Sequence, residues 1–476
     1  MDYEAVIGLE VHAELSTESK IYCACANRFG AEVNTLCCPV CTGMPGILPA
    51  LNARVIEYAV KMGLACGCRI ADIVKQDRKS YFYPDLPRGY QISQFDIPLC
   101  EDGAVEFYSA GRRRKVRIRR IHIEDDAGKL LHDESFGGSL VDFNRCGVPL
   151  VEIVSEPDLR SSSEAKDYLE MIKLMLLYLG ISDAKMQEGS IRCDVNVSLR
   201  ERGSDTLGVR CEMKNVGSFS AVMRAIDYEI ERQTKVLSSG GSVVQETRRW
   251  DDAKGQSFPL RSKEDAHDYR YFPEPNIPVI TGIHAVRDRV ARDLPELPMA
   301  RILRYEGLGL SNYEAVTLTN APDRADYFDS CIAAGGASYK AIANWVLGEL
   351  SKLCNARSCA MGELGIEPQA LTSLAALAES GALSSTGAKR VLEIMLAEGG
   401  DPEELAQKHN LIQNNDEKAL AKLARSVVDS NPDSVKAYRA GKTNAIGYLV
   451  GQAMKASKGQ ANPQMLQKLI RAIIEE

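Results

Sequence analysis

Converging carboxylates are the first chemistry this chain offers. Glu10 and His12 stand two apart in a stretch where Ile7, Leu9, Val11 and Ala13 are apolar. Such alternation marks a strand with one polar face, and residues two apart share that face. Ile191 to Leu199 alternates in the same way and carries Asp194, while Glu212 falls between Cys211 and Met213. The connection Glu201 to Gly208 is short enough for a hairpin, and a register pairing Asp194 with Glu212 would set their Cβ atoms about 5 Å apart. A further strand, Val116 to Ile123, delivers Glu124-Asp125-Asp126 at its end. Acids brought together repel unless a cation sits among them. Oxygen ligands joined by an imidazole suit Mg²⁺ or Mn²⁺, and Mg²⁺ commonly bridges to substrate phosphates. Strand by strand, the same acids would equally be the solvated face of an ordinary sheet.

The cysteines offer a second chemistry. Cys38-Pro39-Val40-Cys41 with Gly43 nearby is a turn that lets two thiolates grip one zinc, and Cys23-Ala24-Cys25 upstream can complete a tetrahedral set. That site is closed and structural, with unligated thiols as the alternative. Lys75 to Tyr90 interleaves cations with Tyr81, Phe82, Tyr83 and Tyr90, a composition for holding a nucleotide or stacking a base, or for anchoring a loop. Arg112-Arg113-Arg114-Lys115 reads as a solvated turn. Gly441-Lys442-Thr443 imitates the end of a P-loop, but Lys436 stands where the motif needs glycine. Metalloprotease, kinase and nucleophile-elbow motifs are missing. The chain has a metal–phosphate chemistry and no obvious nucleophile.

The elements that must position these groups follow from composition. The 476 residues suggest two to four domains. With 45% hydrophobic and 26% charged residues the chain is globular rather than disordered. It has no long apolar run and no basic, apolar leader at Met1-Asp2-Tyr3-Glu4, so a cytoplasmic protein without a membrane partner is expected, its 14 cysteines serving as thiols or ligands. The net charge is −7, yet Lys418 to Ile474 holds ten basic residues against two acidic ones. A basic block on an acidic chain points to a polyanion. Residues 1–295 alternate strands with helices, one capped by Ser161 and another starting near Ser220. This is an α+β domain whose sheet is expected to be antiparallel. A proline-rich stretch from Pro273 to Pro298 closes it. Residues 296–410 read as a helical domain and 411–476 as a small basic helical tail, with Asn431-Pro432 and Asn462-Pro463 at helix starts.

Longer motifs carry a resemblance. Glu10-Val11-His12-Ala13-Glu14-Leu15, Tyr81-Phe82-Tyr83-Pro84-Asp85-Leu86-Pro87, Gln91-Ile92-Ser93-Gln94 and His122-Ile123-Glu124-Asp125-Asp126-Ala127-Gly128-Lys129 resemble the B subunit of the aspartyl/glutamyl-tRNA amidotransferases. So do Asp142-Phe143-Asn144-Arg145, Arg192 to Ser198, His267 to Pro275, and Gly447 to Gln452 with Asn462-Pro463. The likeness covers nearly the whole chain. It implies a cradle domain of the kinase-like phosphotransferase type, a helical domain and a tail related to the YqeY family. It implies that ATP phosphorylates the side-chain carboxylate of Glu-tRNA(Gln) or Asp-tRNA(Asn). Ammonia from a glutaminase, the A subunit, then displaces phosphate, and a small C subunit holds the pair together. Under this resemblance Glu10, His12, Glu124, Asp194 and Glu212 are Mg²⁺ ligands, and Glu10 and Glu124 also take the catalytic part. Glu152, between two apolar neighbours, is a further ligand or half of a buried ion pair. Lys79 contacts phosphate, and Cys23, Cys25, Cys38 and Cys41 hold a structural Zn²⁺ that some relatives lack. The tail, with Lys436, Arg439, Lys442, Lys455 and Lys458, grips the tRNA by its phosphates. Rival readings are a non-catalytic tRNA-binding scaffold and a metal-dependent phosphohydrolase.

Overall fold

The computed structural model describes residues 2–133, 137–262, 269–413, 416–457 and 461–475. The chain divides into two compact units, one ending at Ala300 and one beginning at Arg301. In chain order the strands are β1 (Tyr3–Glu14), β2 (Arg69–Ile70), β3 (Ile73–Val74), β4 (Asp77–Ser80), β5 (Tyr90–Ser93), β6 (Cys100–Ser109), β7 (Arg112–Asp125), β8 (Lys129–Asp133), β9 (Gly138–Asp142), β10 (Pro149–Ser155), β11 (Ile191–Glu201), β12 (Cys211–Lys214), β13 (Glu246–Asp251), β14 (Gln256–Ser262), β15 (Phe272–Pro273) and β16 (Ile280–Thr281). Nine of them form one sheet in the order β14-β13-β12-β11-β1-β10-β7-β6-β2, and a small sheet has the order β15-β4-β5.

The alternation of the sequence becomes two faces. On one face Leu9, Val11, Ile121, Ile123, Val151, Ile153, Val195, Val197 and Met213 are buried. Helices α1 (Ala53–Ala65), α2 (Ser162–Tyr178) and α3 (Phe219–Ser238) lie against strands of that sheet. Each such side chain contributes about 1.5–3 kcal/mol by leaving water. Ser161 opens α2 by accepting the Glu164 N–H, and Ser218 opens α3 by accepting the Ala221 N–H. The other face of the central strands is polar and carries the site.

Three expectations need correcting. The sheet is mixed: β12 and β13 are parallel neighbours. The α3 crossover between them makes this possible, since parallel neighbours need a long connection rather than a hairpin. The second concerns register. Glu212 pairs with Asn196, not Asp194. A slip of two residues preserves which side chains share a face, so alternation alone cannot distinguish the two registers. Third, Arg112 to Lys115 open β7 and pair with Glu106 to Ser109 of β6, so this basic run is an exposed strand end rather than a turn.

Helix α4 (Ile283–Arg292) closes the first unit, and α5 (Pro298–Gly307) leads into the helical second one. There follow α6 (Asn312–Thr319), α7 (Pro322–Ala334), α8 (Tyr339–Trp345), α9 (Ser351–Arg357), α10 (Pro368–Glu379), α11 (Ser385–Glu398), α12 (Pro402–Lys408), α13 (Glu417–Ser430), α14 (Pro432–Arg439), α15 (Ala445–Ala456) and α16 (Pro463–Glu475). The last four enclose a core of their own, centred on Leu420, Ala424, Leu449, Leu466 and Ile470. Asn462 caps α16 by accepting the Gln464 and Met465 N–H groups at 3.0 and 3.2 Å. Asn431, by contrast, donates its side-chain amide back to the Val427 carbonyl. Among the described residues no helix is long and apolar enough to cross a membrane. The fold is α+β, a large mixed sheet followed by helices.

Candidate metal and nucleotide site

Strand pairing brings the acids together. His122 on β7 faces Glu152 on β10, Glu152 faces His12 on β1, and Glu10 faces Asp194 on β11. Two groups result, each with ligand atoms all within 4.8 Å of one another: His12, Glu124 and Glu152; and Glu10, Asp194 and Glu212. In the first, His12 Nε2 lies 3.6 Å from Glu124 and 3.4 Å from Glu152, while His122 Nε2 lies 3.2 Å from Glu152 and 3.8 Å from Glu124. Octahedral Mg²⁺, with oxygens about 2.1 Å from the ion, sets its ligands roughly 3.0–4.2 Å apart. Both donor sets fit that span.

The small sheet is fastened over the first group. Gln91 donates to the Asp125 carbonyl at 2.7 Å, the Ile92 N–H donates to the Asp125 carboxylate at 2.9 Å, and Gln94 accepts the Ile123 N–H at 3.1 Å. This explains the Gln-Ile-Ser-Gln motif: its side chains replace strand pairing at the end of β7. Ser93 on the same strand donates to Glu124 at 3.3 Å. Lys79 on β4 has its amine 4.8 Å from the Tyr269 ring centroid. Burial opposes its charge, but Glu124 and, further off, Glu152 hold its pKa well above that of an ordinary lysine. Burial opposes charge on His12 too, yet the Glu152 carboxylate, with Glu124 and Asp194, pushes it up to about 9. Glu10 goes the other way for a carboxylate: burial and then Glu152, Glu212 and Asp194 raise it. The Glu10–Glu152 coupling makes the two groups electrostatically one site.

Sequence reasoning missed several members of this site. His122 stands two residues before Glu124 on one strand, so spacing alone puts it on the same face. Lys214 is ion-paired with Asp194 and, at 2.8 Å, with Glu212, so the second group already contains a cation. Asn196 donates to Glu10 at 3.0 Å. Next to the acids lies a cavity of about 590 Å³, lined by Glu10 and Glu152 and also by Arg119, Arg120 and Arg210. Phe82 and Tyr83 of the aromatic stretch are largely exposed. His267 and Asp268 lie outside the described residues.

The four cysteines form a separate cluster, their sulfurs all within 4.8 Å of one another. Cys41 Sγ is 3.5 Å from Cys23, 3.8 Å from Cys38 and 4.0 Å from Cys25. Tetrahedral Zn²⁺ with bonds of about 2.3 Å places its sulfurs roughly 3.8 Å apart, so the set fits this ion. The Cys23 hydrogen bond, against the cost of burial, holds the Cys41 thiol down to about 4, with Lys20 among the groups that favour the thiolate.

In the tail, Lys436, Lys442 and Lys455 are exposed. Arg439 has an internal task, donating to the Ile474 carbonyl at 3.0 and 2.8 Å and so closing the end of α16. Lys458 lies outside the described residues.

A sheet whose polar face collects two carboxylate groups, followed by helices, is the framework of the GatB/GatE catalytic domain, and residues 5–286 match that family. Residues 326–474 match the GatB domain. The aspartyl/glutamyl-tRNA(Asn/Gln) amidotransferase B subunit of Caldicellulosiruptor saccharolyticus is 51% identical over 480 residues, covering all of both chains. The proteins of the same name from Thermoanaerobacter pseudethanolicus and Moorella thermoacetica are 51% and 49% identical, over 99% of this chain and 99% of their own. The chain belongs to the family of aspartyl/glutamyl-tRNA(Asn/Gln) amidotransferase B subunits.

Proposed function

We propose that this chain activates the side-chain carboxylate of Glu-tRNA(Gln), Asp-tRNA(Asn) or both by ATP-dependent phosphorylation. The product then meets ammonia supplied by a partner glutaminase, the A subunit, within an assembly that also holds a small C subunit. The single observation that carries this reading is the convergence of His12, Glu124, Glu152, Glu10, Asp194 and Glu212 on one sheet face beside Lys79. A carboxylate is a poor electrophile and its acyl phosphate a good one. Forming it takes positioning and charge neutralisation at the transferred phosphoryl group, not a serine or thiol nucleophile.

The substrate carboxylate oxygen bonds to the γ-phosphorus as the bond to ADP breaks. Ammonia then bonds to the acyl carbon and phosphate leaves. His12, Glu124 and Glu152 would hold a Mg²⁺ ion, and Glu10, Asp194 and Glu212 with Lys214 flank it; the ion supplies neutralisation of phosphoryl charge. Lys79 offers a fixed ammonium to the γ-phosphate. The cavity beside the acids, basic on its Arg119, Arg120 and Arg210 side, suits a triphosphate. Kinship with kinase-like phosphotransferases is part of this reading. Lys436, Lys442 and Lys455 would meet tRNA phosphates.

ATP turnover tests the reading. In the assembled enzyme, ADP release should depend on the charged tRNA and stay at background with uncharged tRNA. Turnover with ATP alone would identify a phosphohydrolase instead, and amidation without ADP release would leave the chain a scaffold.

A further inference from the structure

Lys20 is a fully buried lysine. Its stem lies along Gly147, where a Cβ would come within 3.7 Å of Lys20 Cδ and where φ is +77°, so glycine is needed for both space and conformation. The amine donates to the Cys146 carbonyl at 2.7 Å and to Cys41 Sγ at 3.5 Å. Among the described residues no carboxylate lies within ion-pairing distance of it. A buried ammonium needs a countercharge, because desolvation without one is strongly unfavourable. Among the described residues, the groups within its reach that can become anionic are the cysteine sulfurs. Four thiolates around one Zn²⁺ carry a formal charge of −2, itself costly to bury.

The two problems solve each other. We propose that Lys20 is the charge-compensating residue of a Cys23/Cys25/Cys38/Cys41 zinc centre, halving its net charge by a hydrogen bond to Cys41 and fixing it to the main chain at Cys146. The inference rests on the zinc reading of those cysteines. It also gives the centre a mechanical link to the acidic face. Gly147, one residue on from the anchored carbonyl, donates its N–H to the Asp126 carbonyl at 3.0 Å, and Arg145, one residue before, lies 3.5 Å from the Asp126 carboxylate. Lys20 is thus a positioning residue and touches no reacting atom.

The test uses the full-length protein loaded with Co²⁺ in place of zinc. Wild type should show thiolate-to-cobalt charge-transfer bands and the d–d absorption of a tetrahedral site. Lys20→Met removes the hydrogen bond to sulfur, so those bands should move to lower energy, and metal release to a chelator should accelerate about 10- to 100-fold, as for other residues that orient metal ligands. Lys20→Gln keeps a donor for the Cys146 carbonyl but no charge. It should release metal faster as well, and it carries the comparison if Met is not tolerated. Unchanged bands and release rates with only a lower Tm would overturn the assignment and leave Lys20 a structural anchor. A wild-type protein that binds neither zinc nor cobalt would overturn the metal centre itself, an outcome distinct from the first.

Discussion

Glu124→Gln is the sharpest perturbation of the proposed site, because it deletes one charge and keeps the shape. Glu124 is buried and accepts from Ser93 at 3.3 Å, which an amide oxygen can still do. Its ligand atom lies within 4.8 Å of those of His12 and Glu152. A unit of charge removed at that distance is worth about 3.5 kcal/mol per unit of cation charge at an effective dielectric constant of ~20. That corresponds to roughly 300-fold, a lower bound for an ion carrying two charges. The assay is transfer of labelled γ-phosphate from ATP to the aminoacyl-tRNA in the assembled enzyme, with amidated product measured in parallel. Acyl-phosphate formation should fall at least ~300-fold, while glutamine hydrolysis by the partner glutaminase stays near wild type. Amidation within a few-fold of wild type would refute the metal role of this face and leave its acids as a solvated surface.

Further expectations follow from the same geometry. Lys79→Met should raise the KM for ATP by about 10-fold or more, since a phosphate loses a charge-assisted hydrogen bond worth ~1.5–3 kcal/mol; steady-state kinetics at varied ATP check it, and an unchanged KM removes Lys79 from phosphate binding. Cys38→Ser should lower bound zinc and thermal stability, as read by elemental analysis and calorimetry; full zinc occupancy in the variant contradicts the four-sulfur site. Replacing Lys436, Lys442 and Lys455 together by Ala should reduce the slope of log affinity for tRNA against log salt by about 2–3, with ATP binding unaffected; an unchanged slope takes these residues off the tRNA. Arg439→Ala should instead cost roughly 1 kcal/mol of tail stability through the lost bonds to Ile474, readable as a shift in chemical denaturation, with a smaller effect on the salt slope than any of the lysines.

Much of the site was legible because strands write their faces into the sequence. Glu10 and His12 could be placed side by side from spacing alone, and β1 carries them so. Cys38 to Cys41 announced a turn because two ligands separated by two residues leave few other geometries. What stayed hidden depended on partners distant in sequence. The β11–β12 register was open because a two-residue slip keeps every face. Strand β13 was missed since Thr247, Arg248 and Arg249 lack apolar alternation, and only the α3 crossover places them beside β12. Lys20 looks like a surface residue between Ser19 and Ile21, and its burial comes from a turn more than a hundred positions later. Arg439 reads as a free basic group until its bonds to Ile474 are seen.

The central position of β1 has a consequence for how the protein is made. Glu10 pairs beside Val154 on one flank and Asp194 on the other. A ribosome adding about 5–20 residues per second needs on the order of ten to forty seconds to deliver that second neighbour after β1 has emerged. Through that interval the N-terminal segment has two unsatisfied edges and a row of apolar side chains, the condition in which nascent chains associate wrongly or recruit chaperones. Slow elongation before the codons of β11 should therefore lower the yield of active protein even though every amino acid is unchanged.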